Sequence, residues 1–177
     1  SNAMGKTNNI LYVMSGQNFQ DEEYFESKKI FESAGYKTKV SSTFIGTAQG
    51  KLGGMTNIDL LFSEVDAVEF DAVVFVGGIG CITLWDDWRT QGLAKLFLDN
   101  QKIVAGIGSG VVIMANAKIL EEINVTCLSA DESHVRHGNA NIMSENVVVS
   151  GNIVTANGPT SSKDFANAVV GVLNSLS

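Results

Sequence analysis

The sequence predicts an α/β fold, an open and mostly parallel sheet with helices on both faces. Three observations carry this. Phe70-Asp71-Ala72-Val73-Val74-Phe75-Val76 is a β-branched, nearly continuous apolar run, as a central strand buried on both faces requires. Apolar residues at helical spacing alternate along the chain with short strand-like runs. Strand-like runs end in glycine-rich turns at Gly77-Gly78-Ile79-Gly80-Cys81 and at Gly106-Ile107-Gly108-Ser109-Gly110. In open α/β sheets, ligands sit beyond the carboxyl ends of the strands.

The elements follow in order. Asn9 to Met14 reads as a first strand, ending at Ser15-Gly16. Asp21 to Ala34 reads as a helix with Tyr24, Ile30, Phe31 and Ala34 inward. Glu22, Glu23, Glu26, Lys29 and Glu32 fall mostly elsewhere, and Gly35 suits the helix stop. Tyr36 to Phe44 reads as a second strand. Gly46 to Asn57 is a loop or hairpin, and Ile58-Asp59-Leu60-Leu61 is a short strand. After the central strand, Asp86/Asp87 to Asn100 reads as a helix with Leu93, Leu96 and Phe97 inward.

Ile103 to Ile107 is the next strand, followed by a helix from Gly110 to about Leu120. Val125 to Leu128 reads as a strand and Ser129 to Asn139 as a polar loop. Ser150-Gly151-Asn152 suits a hairpin turn. Ser161 and Asp164 have capping-box spacing ahead of a last helix. Its apolar stripe is Phe165, Ala168, Val169, Val172, Leu173 and Leu176.

Composition bounds the function. The chain has 177 residues, which suits one core. Ser1-Asn2-Ala3 before Met4 reads as a cloning remnant, leaving 4–177 as one domain. A net charge of −7 with only 12 Lys+Arg argues against nucleic acid, since phosphate contacts need a basic face. No apolar run suits a membrane span and no signal peptide is visible. Two cysteines, Cys81 and Cys127, make no disulfide framework and suit a reducing cytoplasm.

Three stretches together resemble the DJ-1/ThiJ/PfpI superfamily, relatives of class I glutamine amidotransferases. They are Phe70 to Gly78, Val104-Ala105-Gly106-Ile107-Gly108-Ser109-Gly110, and Gly158-Pro159-Thr160-Ser161-Ser162-Lys163-Asp164-Phe165-Ala166. Phe19-Gln20-Asp21 and Gly35-Tyr36 agree with them. The resemblance implies a flavodoxin-like three-layer sandwich and a homo-oligomer, a dimer or larger. It also implies a cysteine nucleophile at the strand-to-helix elbow, where this chain has Gly108. The family's acid near the first helix matches Gln20. The partner His of some members falls near Leu128, and a Glu that some members take from a neighbouring subunit matches Ile82.

The remaining residues offer alternatives. An elbow forces its central residue toward φ > 0, which glycine adopts without steric cost. The N–H groups around Gly108, Ser109 and Gly110, with Gly77, Gly78 and Gln20, can then bind an anion or another small molecule without a nucleophile. Ser109 is out of register for a Gly-x-Ser-x-Gly elbow and suits a helix cap. Cys81 borders the expected pocket and is an alternative nucleophile, yet no cation neighbours it in sequence. His134 and His137, near Asp131 and Glu132, have metal-ligand spacing in what reads as a solvated loop. Trp85 and Trp88 suit the roof of a pocket or a subunit contact.

These residues predict a family member with a degenerate catalytic site, which binds a small or anionic molecule or acts as a scaffold. No cofactor is called for. The rival reading is a hydrolase-type enzyme, protease-, glyoxalase- or deglycase-like, using Cys81 or Ser109.

Overall fold

A computed structural model describes residues 5–176, so Ser1-Asn2-Ala3 lie outside the described residues. The chain opens with β1 (Asn9–Val13), β2 (Gln17–Phe19), α1 (Asp21–Ser33) and β3 (Lys37–Ser42). A hairpin follows, β4 (Gly46–Gly50) with β5 (Met55–Ile58), and then the short β6 (Leu60–Leu61). The second half holds β7 (Ala72–Phe75), α2 (Trp88–Asp99), β8 (Ile103–Ile107), α3 (Gly110–Asn116) and β9 (Asn124–Val125). It continues with α4 (Glu132–His137), β10 (Asn141–Ile142), β11 (Val147–Ser150), β12 (Ile153–Ala156) and α5 (Ser162–Asn174).

The main sheet has seven strands in the order β11-β12-β8-β7-β1-β3-β6. All its pairings are parallel except β11 with β12, which turn at Ser150-Gly151-Asn152 as that signal requires. β7 and β8 lie at the centre, and both are buried along their whole length. Successive side chains of a strand face opposite layers. Leu11, Val13, Val73, Phe75 and Val104 therefore join a core with α2 and α3. Ile10, Tyr12, Val74 and Ala105 join one with α1 and α5. The result is a flavodoxin-like sandwich.

A buried carboxylate secures the start of the sheet. Asp71 accepts hydrogen bonds from the Thr7 N–H (2.7 Å), the Thr7 hydroxyl (2.8 Å) and the Asn8 N–H (2.8 Å). It thus ties the segment before β1 to the start of β7. A smaller sheet, β2-β4-β5, stands beside the carboxyl ends of the main strands. Asp21, the first residue of α1, clasps its hairpin tip by accepting from the Leu52 and Gly54 N–H groups, each at 2.8 Å.

Several expected elements differ. The polar stretch after Leu128 is not a loop: Ser129–Asp131 forms a 3₁₀ turn that runs into α4. The strand expected over Val125 to Leu128 pairs only as β9, because the chain then bends into that turn. The helix expected to reach Leu120 stops at Asn116, where Lys118 turns left-handed (φ 63°). Ser161 and Asp164 form no capping box. The Ser161 hydroxyl donates to Asn157 Oδ1 (2.7 Å) and leaves the helix start uncapped by its side chain.

Candidate functional site

The carboxyl ends of β7 and β8 meet at the elbow. β8 ends at Ile107, and Gly108 turns the chain with φ 57° before α3 begins. Its N–H donates to the Ala156 carbonyl of β12 (3.0 Å), which locks the turn to the sheet. Gly77, at the end of β7, lies against the same turn; a Cβ there would stand 2.6 Å from the Ser109 nitrogen. Gly78 is left-handed (φ 102°) and packs on the Gln20 backbone, and a Cβ at Gly110 would strike the Phe75 carbonyl. These glycines let three segments of backbone converge, the end of β7, the elbow and the stretch before α1.

The acid at this convergence is Glu23. It is 1% exposed, although its neighbours in sequence mark it as part of an outward acidic face. One oxygen, Oε1, accepts from the Gly77 N–H at 2.7 Å. The other, Oε2, fills the space beside Gly108, so that a Cβ at position 108 would collide with it. Burial raises the Glu23 carboxyl from 4.5 to about 8, against the Gly77 hydrogen bond that lowers it; the charges of Glu22 and Asp131 raise it further. The carboxyl is therefore neutral at pH 7.

Gln20 does not hold the place that the resemblance gives it. Its side-chain amide donates to Glu22 Oε1 (2.8 Å), and its backbone N–H donates to the Gly77 carbonyl (3.0 Å). Three residues on, Glu23 reaches the elbow instead. The available signal was spacing: Glu23, Ser27 and Phe31 follow one another at four-residue intervals, and all three are buried.

Ser109 occupies the cap position of α3 without capping it. Its hydroxyl donates to Asp131 Oδ2 at 2.9 Å, across to the 3₁₀ turn before α4. The Ser109 carbonyl accepts from the Trp85 indole N–H (2.9 Å), and the Trp85 ring packs on His134 with centroids 4.8 Å apart. Ser109 thus faces a carboxylate, with no histidine base on its hydroxyl.

Cys81 comes close to this cluster and is wholly buried. Burial drives its thiol far above the usual range, and Glu23 and Asp131 raise it further, against a lowering bond from Trp85. A thiol in that setting is not a thiolate at neutral pH, which disfavours Cys81 as a nucleophile. Cys127 lies apart, 5% exposed, with its thiol pushed up to about 12, chiefly by burial.

Leu128, Cys127 and Thr126 line a cavity of about 320 Å³ with Ser129, Asn157 and Thr160. Ile82 lies exposed on the Ile79–Leu84 turn. His134 and His137 part company, the first on Trp85 and the second in a separate depression. Among the described residues, no group of three His, Cys, Asp or Glu side chains stands close enough to hold a metal ion. The expected anion seat is also altered. The Gly77 and Gly108 N–H groups already have acceptors, and the carboxyl groups of Glu23 and Asp131 stand at the elbow.

The sequence profile of the DJ-1/PfpI family matches residues 9–171. The chain belongs to the DJ-1/PfpI family. Among relatives of this family member, an uncharacterised protein of Methanocaldococcus jannaschii is 33% identical over 168 residues, 93% of this chain and 82% of that one. YraA of Bacillus subtilis, whose name assigns it provisionally to the cysteine proteases, is 32% identical over 88% of this chain and 92% of its own. A deglycase of Thermococcus kodakarensis is 30% identical over 84% and 90%.

Solved structures share the fold. Drosophila melanogaster DJ-1beta superposes with a TM-score of 0.85 at 18% identity, over 95% of this chain and 91% of that one. A two-domain protein of Anabaena variabilis with DJ-1/ThiJ/PfpI-like and ferritin-like domains superposes with a TM-score of 0.88 at 24% identity. It is matched over 94% of this chain but only 48% of its own length. Among the described residues, no helix is long and apolar enough to cross a membrane.

Proposed function

We propose that this family member binds a small polar molecule without covalent chemistry, and that its elbow has lost the family's thiol function. One observation carries the reading. Position 108 is a glycine, and the carboxyl end of Glu23 takes up the space where a side chain there would begin, so the elbow as it is built carries no thiol. The buried thiols of Cys81 and Cys127 support the same conclusion. A neutral Glu23 and a carboxylate at Asp131 favour an uncharged, hydroxyl- or carbonyl-bearing ligand over an anion. The cavity lined by Thr126, Leu128, Ser129, Asn157 and Thr160 is the space beside the elbow strands that suits one.

The rival reading draws on the names of two relatives, one assigned provisionally to the cysteine proteases and one named a deglycase. Turnover of a glycated peptide and of a casein substrate by the purified protein separates the two. The expected result is no turnover above buffer. Turnover that Cys81→Ser or Ser109→Ala abolishes would overturn the proposal.

A homo-oligomer in a reducing cytoplasm completes the reading. The apolar side chains exposed at Phe44, Ile45, Ile79, Ile82 and Trp88 support the first, and two free thiols the second. Light scattering on the eluting peak tests the assembly, and a monomer refutes it.

A further inference from the structure

We propose a second binding site, for a free α-amino acid, in the depression where α2, α3 and α4 meet. It encloses about 300 Å³ and lies at the end of α3 opposite the elbow. Its lining carries both signs of charge, the exposed side chains of Asp86, Glu121 and Lys118, together with the imidazole of His137. None of these four forms an ion pair among the described residues. The Asp86 carboxylate accepts one long bond, from the Asn116 amide at 3.4 Å. Opposite charges that line one depression and leave each other unpaired suit a ligand that carries both.

The amides sort the two ends. The Gln91 and Asn116 side-chain N–H groups both donate to the Trp85 carbonyl, at 3.0 and 2.9 Å. Their amide oxygens remain as acceptors with no partner among the described residues, and neither is sealed from solvent. With Asp86 they give the corner acceptors for an ammonium group, beside the Asn116 N–H that reaches Asp86. Lys118 and His137 supply the donors for a carboxylate.

The floor is rigid. Gly138, after α4, packs so closely on α3 that a Cβ would stand 2.8 Å from the Ala115 carbonyl. Trp85 is common to both sites, since its carbonyl holds the two amides here while its indole holds Ser109 at the elbow.

Calorimetry or saturation-transfer NMR with the set of free α-amino acids tests the site, with propionate and ethylamine as probes of one charge each. At least one amino acid binds, and neither single-charge probe does. Lys118→Gln and Asp86→Asn each weaken binding about tenfold or more, as loss of one charge-assisted bond requires. Glu23→Gln leaves it unchanged, which keeps the result apart from the elbow reading. Binding to no amino acid, equal binding of a single-charge probe, wild-type affinity in both charge variants, or loss of binding in Glu23→Gln overturns the proposal.

Discussion

Replacing Glu23 by Gln should make the protein more stable at pH 8 and remove most of a pH dependence. Burial raises this carboxyl from 4.5 to about 8 in the folded chain. The difference of roughly 3.5 units corresponds to about 5 kcal/mol at 1.36 kcal/mol per unit. The sign follows from proton uptake. Between the two values the folded state keeps the proton and the unfolded state has lost it, so stability falls as pH rises. The contribution is fully present below about pH 4.5 and is lost by about pH 8.

Gln keeps an oxygen for the Gly77 N–H and cannot ionise, so the variant omits this term. Urea unfolding at intervals from about pH 5 to 9 measures it directly. The wild-type curve should fall relative to the variant's by several kcal/mol across that window. Parallel curves would refute the placement of a protonated acid at the elbow.

Gly108→Ala should cost about 2–4 kcal/mol, from the left-handed backbone and the collision with Glu23 Oε2. Adding Glu23→Ala should recover about 1–2 kcal/mol in a double-mutant cycle, and strict additivity would count against the collision. Iodoacetamide at neutral pH should label Cys81 far more slowly in the native protein than in urea; equal rates by mass spectrometry would contradict its burial. Asp71→Ala should cost about 3 kcal/mol by chemical denaturation, because three donors from Thr7 and Asn8 lose a charged acceptor.

The parts of the fold that sequence reveals are those where a local pattern and the tertiary environment agree. Residues 72–76 are apolar because β7 is buried on both faces, and Gly151 turns a hairpin whose strands carry their own signal. The elbow was legible for the same reason, since glycine at position 108 suits φ 57°. The acid beside it was not. Glu22, Glu23 and Glu26 look alike in sequence, and only the approach of Gly77 and Gly108 makes one of them internal. Ser109 sits at the cap position yet caps nothing, for a related reason. Its hydroxyl has a better acceptor in Asp131, 22 residues away, which local spacing cannot reveal. The stretch after Leu128 was too polar to look helical, yet α4 buries little beyond Val135 and keeps its charges in water.

Asp21 and Glu23 lie two residues apart on the first turn of α1, and each carboxyl grips a different piece of the molecule. The first holds the tip of the β4–β5 hairpin through Leu52 and Gly54; the second holds the end of β7 and fills the elbow. That turn of helix is therefore a common anchor for a projecting surface and the centre of the sheet. The hairpin, with Leu52 and Met55 exposed upon it, and the elbow are thus anchored to one helical turn by two side chains.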